Sequence, residues 1–268
     1  MERSRLKTIM ILILALLNIC LLGSLVSRIA AERESRQQAA EQLVALFAAE
    51  NIALDANTIP DKAPPSGQTL TRSPNSDQAL AAAFLGYGLS STDQGGGIYT
   101  YGSNYGAARC SSNGTFDIIG TQITEDAESF CRKFCRENHY KNLSFILDET
   151  GSGTATAVRY YDGYPVFNCT ITFTIESGAI TKVSGTHLPD ATAESDVQDP
   201  LSAVAALSLF LGMRRESGAL VSVITEMYLC YELQGTTTSP ITLTPAWCIV
   251  TDTASYYVNC YTAAITHN

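Results

Sequence analysis

Residues 9–26 read IMILILALLNICLLGSLV, eighteen positions without a charge. At about 1.5 Å of rise per residue, a helix of that length approaches the roughly 30 Å hydrocarbon core of a bilayer. Arg3, Arg5 and Lys7 precede it. Basic residues beside a first span stay in the cytoplasm, so the expected layout is single-pass, with the N-terminus cytoplasmic and the C-terminal domain extracytoplasmic. The run is longer than the usual signal-peptide core of about 7–15 residues, and no small-x-small cleavage site follows it, so an uncleaved signal-anchor is expected. Asn18 lies in its middle, and an amide in lipid seeks a partner. Ala15 and Leu22 share its helical face, which makes Ala15, Asn18 and Leu22 the candidate partner-binding face for a second transmembrane helix.

The chain carries a formal charge of −9, with 46% hydrophobic and 16% charged residues. That composition supports a folded core rather than disorder. Beyond Arg36 the balance is 11 basic to 23 acidic residues, a net of −12. Such a domain repels phosphate backbones, so nucleic acid is discarded as a partner.

Turn signals divide the rest. The expected organisation is a cytoplasmic tail (1–8), a transmembrane helix (9–27), a juxtamembrane helix (28–51) and three α+β units (52–122, 123–190 and 191–268). Residues 28–51 contain no Gly or Pro and suit a helix. Each unit opens with a helical stretch: DQALAAAFL, DAESFCRKFCREN and LSAVAALSLFLG. Alternating segments follow each one, separated by Asn113-Gly114, Asp162-Gly163 and Ser177-Gly178. Asn-Gly and Asp-Gly between strand-like runs signal hairpins. The expected fold class is α+β: one N-terminal transmembrane helix, then an ectodomain of repeated helix-plus-antiparallel-sheet units.

Catalytic constellations are sparse. Seven cysteines follow the apolar run: Cys110, Cys131, Cys135, Cys169, Cys230, Cys248 and Cys260. Seven is odd, so at least one thiol is unpaired within the chain. Four of them fall in strand-like runs, where cysteine serves as a small buried apolar residue. Cys131, Cys135 and His139 share a helix face, but eight residues span about 12 Å, too far for one zinc ion. A Ser or Cys nucleophile would need His139, His187 or His267 as its base, and no Gly-x-Ser-x-Gly occurs. No cofactor, metal, catalytic residue or small-molecule substrate is expected. Tyr87, Tyr99, Tyr101 and Tyr105 form one aromatic set, and Tyr160, Tyr161 and Tyr164 another. Such sets either line a glycan- or peptide-binding face or reflect ordinary strand composition.

Several stretches together resemble the YycI-type regulatory proteins of Gram-positive bacteria: SRLKTIMILILALLNICLL, QLVALFAAENIALDANTIP and SPNSDQALAAAFLG. YYDGYPVFNCTITFTIESGAITKVSG and LTPAWCIVTDTASYYVNCYTAAI are similar to that family's sheet-forming parts and to PepSY-like modules. The resemblance implies a non-catalytic, membrane-anchored regulator in a two-component system. Its partners would be the membrane, a sensor histidine kinase of cell-wall homeostasis and a YycH-like sister protein, engaged through the transmembrane helix and ectodomain. The alternative is a cell-envelope module that binds a peptide or glycan on an exposed sheet edge.

Overall fold

The computed structural model describes residues 18, 20–24, 27, 34–35, 37–121, 123, 126–189, 191–194, 199–235 and 241–267. Helix α1 covers residues 37–49, and a 3-10 turn at Ala56–Thr58 follows. Strand β1 (Gln68–Leu70) precedes helix α2 (Pro74–Leu85) and strands β2 (Ser90–Gly95), β3 (Ile98–Ser103), β4 (Gly106–Cys110) and β5 (Thr115–Ile119). Helix α3 (Ala127–Glu137) leads into β6 (Tyr140–Leu147), β7 (Gly153–Tyr161), β8 (Tyr164–Glu176), β9 (Ala179–Thr186) and β10 (Ala191–Glu194). Helix α4 (Ala203–Ser217) leads into β11 (Ile224–Gln234), β12 (Ile241–Thr251), β13 (Ser255–Asn259) and β14 (Ile265–His267).

Local chemistry accounts for the boundaries. Pro74 opens α2, where its missing N–H costs nothing. Asp126 caps α3 by accepting the Ser129 N–H at 2.9 Å, and Ser202 caps α4 by accepting the Ala205 N–H. Gly218, at φ 70°, ends α4. Asp162-Gly163 turns β7 into β8 with φ of 46° and 84°. Two successive left-handed residues match the twist of a two-residue hairpin.

All fourteen strands join one mixed sheet, in the order β10-β1-β12-β11-β8-β9-β5-β4-β3-β2. Strands β6 and β7 extend it from β8, and β13 and β14 extend it from β12. Helices α2 and α3 pack on the β3–β9 region through Phe84, Phe134 and Phe173. Helices α1 and α4 pack on β11–β13 through Phe47, Phe210, Trp247 and Tyr256. Pro245 pairs with Tyr231 on β11, but on the other side of β12 it falls between the residues registered with β1 and those registered with β13, where its carbonyl accepts the Cys260 N–H at 2.9 Å. A proline tolerates that place because no ladder donor is needed there.

Two expectations are corrected. The fold is not a transmembrane helix followed by serial helix-plus-antiparallel-sheet units. Strand β1, which lies before α2, pairs with β10 and β12 at the far end of the chain. Strand β5 pairs with β9, and β8 pairs in parallel with β11, so the strands fuse into one continuous mixed sheet. The membrane-anchored, single-pass, signal-anchor layout is not retained either. Among the described residues no helix is long and apolar enough to cross a membrane. The 15 residues of α4 reach only about 22 Å at 1.5 Å per residue, and helix α1 buries Leu43 and Phe47 in the core. The tail expected at 1–8 and most of the span expected at 9–27 lie outside the described residues.

Candidate functional site

The sheet has a sparsely paired seam where β8 meets β11. These strands run parallel but share a single registered pair, Val166 with Tyr231. The next residue back along β8 is Pro165, which has no N–H to donate, so the ladder stops there. On the same side of β11, the next backbone partner is Ala53. It donates its N–H to Ser222 O at 2.8 Å and accepts the Ile224 N–H at 2.9 Å. Between these anchors, Thr225 falls at a register shift, and residues 226–229 pair with β12 on one side only.

A cleft of about 800 Å³ opens along that gap. Tyr160, Tyr164, Phe167, Glu226, Tyr228 and Tyr257 contribute to its walls. Phe167 from β8 and Tyr257 from β13 stack at 3.8 Å with an 11° tilt, bridging the seam. Cys230, Ala246 and Cys248 form a small fully buried cluster against these rings. Small residues there leave room for the stacked pair above them.

Each side chain is held in place. Asn142 Nδ2 donates to the Tyr160 hydroxyl at 3.1 Å, and Lys141 Nζ lies 4.7 Å from the Tyr160 ring centroid. Lys62 Nζ lies 4.7 Å from the centroid of Tyr164, whose ring meets Tyr231 edge-on at 6.1 Å. Tyr228 and Tyr257 flank Cys248 as its partners on the two neighbouring strands. Burial first, and the neighbouring thiol second, push the Tyr257 phenol up to about 12 and the Tyr228 phenol higher still. Burial also holds the Cys230 and Cys248 thiols above the ordinary range. At neutral pH these are neutral groups, and a neutral buried thiol is a poor nucleophile. The charged side chains on the cleft are Lys62 and Glu226. A smaller cleft of about 540 Å³ adjoins the same hairpin tip through Tyr161 and Asp162.

Residues singled out from the sequence are scattered. Asn18 and Leu22 are exposed helical residues outside the cleft, and Ala15 lies outside the described residues. Tyr160 and Tyr164 enter the cleft, whereas Tyr87 and Tyr105 are exposed and Tyr101 is buried. All seven cysteines from Cys110 onward are buried free thiols. Cys131 and Cys135 face the core beside Phe134. Ser76 Oγ lies 3.0 Å from His187 Nε2, a contact that ties the first turn of α2 to the chain after β9. Phe167, Glu226, Tyr228 and Tyr257 were not singled out. The one local signal near them is Pro165 inside an otherwise strand-like run, which marks a broken ladder.

No protein-family model matches the chain, and no curated protein matches it. Among solved structures, it is similar to an uncharacterized protein from Eubacterium rectale ATCC 33656, at 13% identity and a TM-score of 0.46. The match covers 76% of this chain and 86% of that one. At that level the likeness bears on neither fold nor function.

Proposed function

We propose that this chain is a non-catalytic recognition protein whose cleft receives an extended peptide as an added strand along β11. The observation that carries the reading is the one-sided edge at residues 226–229, open to a cleft with aromatic walls. Backbone N–H and C=O groups are obligatory hydrogen-bonding groups. An extended peptide satisfies them with its own backbone, and the flanking rings select its side chains. Each backbone bond contributes about 0.5–1.5 kcal/mol net, so a short segment reaches useful affinity only with the aromatic contacts added. The regulatory role implied by the resemblance to YycI-type proteins, modulation of a sensor histidine kinase, is compatible with such a seat for a partner segment. The transmembrane route to that partner is not part of the proposal.

The test is a display screen of extended peptides together with a panel of oligosaccharides, followed by hydrogen exchange on the complexes. Peptide binding that slows exchange within 226–229 supports the reading. Oligosaccharide binding with exchange there unchanged overturns it.

A further inference from the structure

The floor of the cleft has a chemical direction. Along β11, Glu226 and Tyr228 are two residues apart and so face the same side of the strand. Tyr228 is opposite Cys248 on β12, and Cys248 is opposite Tyr257 on β13. Tyr228, Cys248 and Tyr257 therefore form one row across three strands, and Glu226 begins the next row, beside Val250. Two strand residues on one face are about 7 Å apart, and Glu226 lines the same cleft as Tyr228 and Tyr257. Burial above all, and the Glu226 charge to a lesser degree, raise the Cys248 thiol above its ordinary value. Glu226 is exposed, and among the described residues no cation pairs with it.

The tyrosine faces on the opposite wall already hold ammonium groups. Lys62 lies over Tyr164 and Lys141 over Tyr160, each at 4.7 Å. No lysine or arginine sits on Tyr228 or Tyr257 in the same way among the described residues. A cation over an aromatic face is attracted by the ring quadrupole, and the more so where water is partly excluded. A carboxylate in the same cleft adds a counter-charge. The whole chain, at −9, draws positive partners toward it.

We infer that the peptide taken up along β11 carries a lysine or arginine side chain that seats against Tyr228 and Tyr257 with Glu226 as its counter-ion. This rests on the strand-addition reading and names the class of partner it serves: a basic, extended polypeptide segment. Lys62 sits beside Tyr164 on the opposite wall, so the cleft does not reward uniform positive charge. It rewards one cation placed at the Glu226 end.

The experiment measures affinity of the full chain for three N-acetylated, C-amidated hexapeptides, Thr-Val-Xaa-Val-Thr-Val, with Xaa as lysine, norleucine or glutamate. The lysine peptide is expected to bind about tenfold tighter than the norleucine peptide at low salt, narrowing as salt rises. The glutamate peptide should bind weakest. In Glu226→Lys the order should reverse between lysine and glutamate, a gain that a misfolded variant could not produce. If all three peptides bind alike and protect residues 226–229, the cation inference fails and strand addition stands. If none binds and exchange at 226–229 stays fast, both fail. Pairing of 226–229 with a second copy of this chain, seen as dimerisation with the same protection, also overturns the inference.

Discussion

The long strands β8 and β12 lie in one sheet, yet the fold treats them differently. From Thr170 to Ile175, β8 alternates: Ile171, Phe173 and Ile175 are buried while the threonines between them reach solvent. Strand β12 is buried almost throughout. Trp247 and Ile249 face the α1–α4 core, and Ala246 and Cys248 face the Phe167–Tyr257 stack. Around β8 the outer face of the sheet is a polar row, in which Thr156, Thr172, Ser184, Asp117 and Arg109 lie opposite one another on successive strands. Toward β12 that face becomes aromatic and sulfur-lined. The change falls at the seam between β8 and β11, where the cleft opens. An alternating strand has one dry face, whereas β12 has two. The second dry face is also the wall of the proposed site.

The largest expected effect concerns the buried thiols, two of which, Cys230 and Cys248, lie beneath that second face. Burial holds Cys110, Cys131, Cys169 and Cys260 at about 12 and Cys135 at about 11, against an ordinary 9.0. Cys230 stands well above the ordinary value and Cys248 is raised. Below pH 9 the thiols are protonated in both folded and unfolded chains, and stability does not depend on them. From pH 9 upward the unfolded chain releases those protons while the folded chain retains them. Stability therefore falls with pH until the folded values are reached. Each thiol contributes up to about 1.4 kcal/mol per pH unit. Several acting together should unfold the chain between about pH 9 and 12, followed as the urea midpoint against pH. Replacing Cys230 and Cys248 together by alanine should make that decline shallower by about 2–3 kcal/mol per pH unit. An unchanged slope would mean that water reaches the second face of β12, and the contrast with β8 would collapse.

A smaller effect tests the same strand from its other side. Trp247 is fully buried, and its Nε1–H donates to Leu201 O at 2.8 Å. Trp247→Ala should cost about 3–5 kcal/mol, combining lost burial, a cavity and an unanswered carbonyl. Urea unfolding at neutral pH measures it. A cost below about 1 kcal/mol would show that the α1–α4 layer does not depend on β12.

What the sequence makes legible follows from how locally each feature is specified. Asn113-Gly114 and Asp162-Gly163 announce hairpins because the backbone there must go left-handed, and Gly114 and Asp162 do so at φ 86° and 46°. Helix α3 is readable because Cys131, Phe134 and Cys135 repeat at helical spacing and all three face the core. Strand β1 is not readable in this way. Three residues, Gln68 to Leu70, carry no signal that their partners are β10 and β12. The single parallel pair of Val166 with Tyr231 is equally silent, and it fuses what read as serial units. The cleft shows the same division. Tyr160 and Tyr164 stand out as neighbours in the chain, but Tyr228 and Tyr257 join them only through long-range pairing. The apolar run at 9–26 has the strongest local signal of all, and most of it lies outside the described residues.

The smallest expected effect is the most discriminating. Thr172 lies on the polar outer face, between Thr156 and Ser184 on the neighbouring strands. If that face meets only water, Thr172→Ala should change stability by no more than about 0.5 kcal/mol, because no buried partner is lost. The accompanying loss of β propensity is also small. The measurement is a difference in urea midpoint at neutral pH, made over a range of protein concentrations. A cost above about 2 kcal/mol, or one that grows with concentration, would mean that a second molecule covers the threonine face. Both sides of β8 would then be dry in the assembled protein, and the cleft would lose its distinction as the place where the outer face turns apolar. A near-zero effect at every concentration leaves the β8–β11 seam as the point at which this sheet face stops addressing water.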